Sequence, residues 1–186
     1  WMTHNLKDST NNPCVAGVLS TLRSISSKLP ELLRSVFDTS GTTGFDVTFK
    51  FQNLGTYAGG STEKNVSNFD YKSKVNSFFS DATDLSVAST IIHEIFHCQL
   101  YAWYRKSLLL NDTALQNNLV RKYGYLFTTQ YTNLDSNFMV IVNGPDVLQH
   151  QDIAVRYRNI IGEALYQFAA AKSINVTLEY CKDLAW

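Results

Sequence analysis

Residues 93–97 read His-Glu-Ile-Phe-His, and the four-residue step between the two histidines is one turn of an α-helix. On a helix both imidazoles leave the same face and can meet one ion at about 2.0–2.1 Å, the usual zinc–nitrogen distance. Glu94 is turned by about 100° from His93, close enough to reach a water on that ion without ligating it. Zinc lowers the pKa of such a water to about 7, so a neighbouring carboxylate can take its proton and later hand it to a leaving amine. The expected chemistry is hydrolysis of a peptide bond with one Zn2+ per chain, His93 and His97 as ligands and Glu94 as general base.

Catalytic zinc sites normally carry three protein ligands plus water, so a third must come from elsewhere in the chain. There are four histidines. His4 lies in a polar terminus and His93 and His97 are already used, which leaves His150. It precedes an apolar stripe of Ile153, Ala154, Tyr157, Ile161, Ala164, Leu165 and Phe168, so a helix there turns it toward the core. Asp146, Asp152 and Glu163 are the alternatives. Tyr157, two turns beyond His150, is either an oxyanion stabiliser or a core residue. Tyr125, Phe127 and Tyr131 are candidates for the walls of a substrate pocket.

The motif needs a helix, and the sequence supplies one. Asp84 or Ser86 can cap it, and Val87, Ile91, Ile92, Ile95, Phe96, Leu100 and Trp103 cover more than one face, so it runs centrally to about Leu109. Upstream, Asn12 and Pro13 read as N-cap and first helical residue of an amphipathic helix reaching Leu29, and Pro30 opens a second one through Phe37. Phe45 to Phe51 alternate apolar and polar, the period of a half-buried strand. Weaker alternation from Gly55 to Lys72 suggests short strands joined by turns, hence a small antiparallel or mixed sheet. A helix around Leu115 to Tyr123 ends at Gly124, and a long one starts at Pro145 and continues through Ala171. The reading is one α+β domain over residues 1–186, with residues 1–12 flexible.

Composition supports a packed core, with 45% hydrophobic and 13% aromatic residues in 186. Sixteen basic residues balance sixteen acidic ones, so no net field favours nucleic acid or an anionic membrane. The terminal stretch Trp1 to Asn12 lacks the apolar core of a signal peptide, and no run of about 18 apolar residues occurs. A soluble domain is expected, with its location open. Cys14, Cys98 and Cys181 are too few and too scattered for a thiolate zinc site. Free thiols are expected, Cys98 as a buried small hydrophobe, with Cys14 and Cys181 the one pair an oxidising compartment could join.

With its motif on a helix, the chain resembles the zincin metallopeptidases, and its size and element order resemble the SprT-like minimal zincin domains. The likeness is carried by Ile91 through His97, and more weakly by Gln149 to Ala154, where SprT-like domains place a later histidine on a helix. Here 52 residues separate His97 from His150, a longer interval than in the better-known branch. No glycine or histidine continues the motif in the metzincin manner, since Trp103 and Tyr104 stand there instead. The resemblance implies a zinc endopeptidase acting on a peptide or protein, with an extended substrate added to the strand nearest the motif helix, here Tyr57 to Ser61. Two other readings remain: a catalytically inactive or structural zinc-binding interaction domain of a larger protein, and a zinc hydrolase of a non-peptide substrate.

Overall fold

The structure is a computed structural model that describes residues 6–25, 46–56, 58–63, 70–79, 81–118 and 145–185, with the backbone alone for 79 and 145–156. Four strands form one mixed sheet: β1 (Leu6–Asp8), β2 (Asp46–Gln52), β3 (Gly60–Thr62) and β4 (Asp70–Asn76), in the order β1-β2-β4-β3. β1, β2 and β4 are parallel, and only β3 runs antiparallel, against β4. Four α-helices accompany them: α1 (Pro13–Ser24), α2 (Asp84–Leu109), α3 (Pro145–Ala171) and α4 (Leu178–Asp183). A 3-10 turn occupies Ser77–Phe79, and residues 113–118 are helical. The class is therefore α+β, as the sequence implies, but the sheet is mainly parallel. Alternation within each strand could not reveal that β4 inserts between β2 and β3.

Leu6–Asp8 belongs to the terminal stretch expected to be flexible, yet it pairs residue for residue with Val47–Phe49, and Leu6 is buried. Three residues are too few for a period to register in the sequence. Asn12 caps α1 as expected: its Oδ1 accepts from the backbone N–H of Cys14 at 2.9 Å and of Val15 at 3.1 Å. α1 buries Val15, Val18, Leu19 and Leu22, and ends at Ser24, where Ile25 turns extended, short of the expected Leu29. The expected helix from Pro30, the aromatic stretch holding Tyr125, Phe127 and Tyr131, and His4 lie outside the described residues.

The sheet has one buried face. Val47 and Tyr71, Phe49 and Ser73, and Phe51 and Val75 are paired across β2 and β4 on the inner side, whereas Lys50 pairs with Lys74 on the outer side, where Lys74 Nζ meets Glu63 at 3.3 Å. Against the inner face lies α2, capped by Thr83 rather than by Asp84 or Ser86: the Thr83 hydroxyl accepts from Ser86 N–H. Asp84 instead sits in the first turn, where an acid suits the helix dipole. Ile91, Ile92, Ile95 and Phe96 are essentially fully buried, so α2 has the central place that its many-sided apolar pattern implied.

α3 begins and ends where the sequence placed it and closes the other side of α2 through Ile161, Ala164, Leu165 and Phe168. Two contacts fix its direction. Asp84 Oδ2 meets Lys172 Nζ at 3.0 Å, and the rings of Phe96 and Tyr157 lie 4.7 Å apart, so the helices run antiparallel. α4, which sequence reading missed, is capped by Thr177 and buries Cys181. Its approach to α3 is close: a Cβ on Gly162 would fall 2.8 Å from Lys182 Cα, and backbone cannot yield as a side-chain tip can. Gly162→Ala is expected to cost about 1–3 kcal/mol through overpacking, read as a lowered urea midpoint at unchanged slope; an unaltered midpoint would contradict that packing. Among the described residues, no helix is long and apolar enough to cross a membrane.

Candidate metal centre

His93, Glu94 and His97 lie in the middle of α2, and their potential ligand atoms are within 4.8 Å of one another; Glu94 faces β3, where it meets Thr62 and Gly60. The two Nε2 atoms are 3.0 Å apart, with the rings edge-on at 73°. Two zinc–nitrogen bonds of about 2.0–2.1 Å at a tetrahedral angle would set the nitrogens about 3.3 Å apart. The pair therefore stands within a few tenths of an ångström of a two-histidine chelate. The donor set also fits a divalent transition-metal ion, because neutral imidazoles are its commonest protein ligands. Both histidines are half-buried, and Glu94 is buried.

Glu94 is held by a residue from another element. The Thr62 hydroxyl donates to Glu94 Oε2 at 2.6 Å, and Thr62 lies opposite Ser73 across β3 and β4. Thr62 Oγ1 is 2.9 Å from Ser73 Oγ, which is 3.5 Å from Cys98 Sγ. A hydroxyl has one proton to give. With Thr62 donating to the carboxylate, Ser73 donates to Thr62 and the Cys98 thiol to Ser73, so each bond polarises the next toward Glu94. Gly60 makes the arrangement possible, since a Cβ there would fall 2.8 Å from Glu94 Oε1 and 2.7 Å from Thr90 Cγ2. Thr62 and Ser73 were not legible as site residues: Thr62 lies 32 positions from Glu94, and no local pattern links them.

Two expectations follow. Thr62→Val removes the donor and leaves a buried carboxylate oxygen unsatisfied, at a cost of about 1–3 kcal/mol, whereas Thr62→Ser should restore most of it; equal stability of Val and Ser variants would show that the bond contributes nothing. The second concerns pH. Burial pushes the Glu94 carboxyl up from 4.5 to about 7, against the opposing pull of the Thr62 bond. Between those values the metal-free folded protein keeps a proton that the unfolded chain has released. Stability therefore falls as pH rises through this window, by about 3 kcal/mol in all. In chelator, Glu94→Gln should flatten that part of the stability curve, and a curve that keeps its slope would contradict the burial argument.

The other candidates divide. Tyr157 packs on Phe96 with rings 4.7 Å apart, as a core aromatic does. Glu163 is the one carboxylate alternative whose side chain is described, and it is not in the His93–Glu94–His97 group. His150, Asp146 and Asp152 lie in the first turns of α3, and their side chains lie outside the described residues. His150 precedes Tyr157 by two turns, about 10 Å along the axis, toward the C-terminal end of α2. The three cysteines are free thiols, Cys14 exposed and Cys98 and Cys181 buried. Burial raises the Cys98 thiol to about 12, which suits an inert core residue.

Comparison with models of protein families, with curated proteins and with solved structures finds no match to this chain.

Proposed function

We propose that this chain is a zinc-dependent metallopeptidase with a minimal zincin-like fold, hydrolysing internal peptide bonds of an extended substrate. The observation that carries the reading is the grouping of His93, His97 and Glu94 on one buried helix, with the two imidazole nitrogens at chelating distance and the carboxylate beside them. His93 and His97 supply two ligands, and His150 is the proposed third; its backbone lies two turns from Tyr157 toward the C-terminal end of α2, so its reach to the ion is what a His150→Ala variant tests. When bound, a zinc ion would acidify a water molecule and polarise the substrate carbonyl. Glu94 accepts the proton of the attacking water and returns it to the departing amine nitrogen. Thr62 fixes the rotamer of Glu94, and the low polarity around the carboxylate keeps its basicity near neutral pH.

The substrate is proposed to lie along β3. This strand is at the edge of the sheet, it crosses α2 beside Glu94, and its other side pairs with no described strand. An extended peptide added there would satisfy its backbone groups along β3 and present its carbonyl near the two histidines. The expected segment Tyr57 to Ser61 coincides in part with β3; Tyr57 itself lies outside the described residues. The experiment is elemental analysis of the wild-type protein beside His150→Ala, each with a fluorogenic peptide assay. About one zinc per chain, weakened in the variant together with hydrolysis, supports the three-histidine centre. Equal zinc and equal activity in both proteins would move the third ligand to Asp146 or Asp152.

A further inference from the structure

A pocket of about 510 Å³ opens on the same face of α2, one to two turns before the motif. Its helical wall is Ser86, Val87 and Thr90, and its sheet wall is formed by Phe51 and Val75 at the strand ends together with Gly59. Gly59 and Thr90 border both regions. A Cβ on Gly59 would sit 3.1 Å from Thr90 Oγ1, and one on the next residue, Gly60, would touch both Thr90 and Glu94. The pocket thus lies beside the proposed site, its lining residue Thr90 standing one helical turn, about 5.4 Å, before Glu94.

The chemistry of its lining selects the occupant. Val75 and Val87 are buried, and Val15 and Phe51 add further apolar surface. Asn76 is the buried polar residue in the lining, and its amide is fully engaged. Its Nδ2 donates to the carbonyls of Gly55 and Ala58, and its Oδ1 accepts from the N–H groups of Leu54 and Phe78. A carboxamide has no further capacity once two donors and two lone pairs are used, so the buried amide of Asn76 offers a ligand no polar contact; Ser86, Thr90, Asn12 and the Asp81 carboxylate add polar groups to the lining, and the anionic one disfavours an acidic side chain.

We infer that this pocket is a specificity site that takes one large apolar side chain, leucine or phenylalanine, of a peptide lying along β3. The inference rests on the peptidase reading above and names the substrate class of the same centre. Residues of an extended peptide advance about 3.3 Å each, so the pocket receives the side chain of a residue one or two positions from the bond that is cut. The volume is ample for one such side chain.

The test uses zinc-loaded protein and quenched-fluorescence peptides identical except at the residues flanking a single cleavable bond, with leucine, phenylalanine, alanine or aspartate there. A preference in kcat/KM of about 10–100-fold for leucine or phenylalanine over alanine is expected from burial of the side chain. Ser86→Trp, an exposed position on the rim, should collapse that ratio toward 1. Alkylation of Cys14 with a bulky maleimide should do the same without any change of sequence, because Cys14 lines the pocket and is exposed while Cys98 and Cys181 are buried. Cleavage of all peptides at similar rates would overturn the pocket and leave the peptidase reading standing. A wild-type preference that survives both Ser86→Trp and the alkylation would place its origin elsewhere and overturn the assignment. If zinc-loaded protein cleaves no peptide, the reading and this inference fall together.

Discussion

Glu94→Gln is expected to keep its zinc and its fold and to lose peptide hydrolysis by about 10²–10⁴-fold in kcat, the range that general-base removal normally costs. The amide has nearly the shape of the carboxylate, and it accepts the Thr62 hydrogen bond through the same oxygen position. What it cannot do is take a proton from water. A general base acts on the reacting water rather than on the remainder of the peptide, so under the proposed role KM should change little. Zinc content, thermal midpoint and kcat measured on the same preparation separate these effects. Full activity in Glu94→Gln would remove the proposed base. Loss of zinc together with activity would show that Glu94 ligates the ion rather than serving it.

His97→Ala is expected to have the second largest effect, on metal rather than on rate alone. Removal of a group that only supports a ligand costs about 10–100-fold in metal affinity, and removal of a ligand should exceed that. His97 is half-buried, so the metal-free variant should remain folded. The contrast appears in thermal unfolding with zinc at about 100 times its dissociation constant, where binding adds about 2.7 kcal/mol. For a domain of this size that raises Tm by about 5–10 °C. The wild type should show the shift and His97→Ala should not. A shift of equal size in both proteins would place the ion elsewhere in the chain.

The parts of this molecule that could be read from sequence are those whose information is local. The His-Glu-Ile-Phe-His spacing fixes one helical face whatever surrounds it, and the long apolar pattern of α2, the Pro145 start of α3 and the Asn12 cap of α1 are signals within a few residues of the feature they mark. The missed parts depend on long-range pairing. β1 exists because Leu6 to Asp8 find a parallel partner about forty positions later. α4 is six residues long, shorter than any helical period needs to become visible, and is held by its Thr177 cap and its packing on Gly162. The Thr62–Ser73–Cys98 support of Glu94 arises because β3 returns antiparallel beside β4 and crosses the motif helix. Within the motif, burial of Glu94 could be inferred from its apolar neighbours, but the residue that satisfies it could not.

Digestion of an unfolded protein substrate, with new amino termini counted as cleavage proceeds, separates a zinc peptidase from a domain that only binds metal. Three samples of the purified chain suffice: as prepared with zinc, after chelator and dialysis, and after zinc is returned to the dialysed protein. Cleavage at internal bonds is expected in the first sample, none in the second and recovery in the third, with Glu94→Gln inactive throughout. Cleavage that persists in the chelated sample, or that Glu94→Gln also produces, would contradict the proposed zinc and Glu94 chemistry.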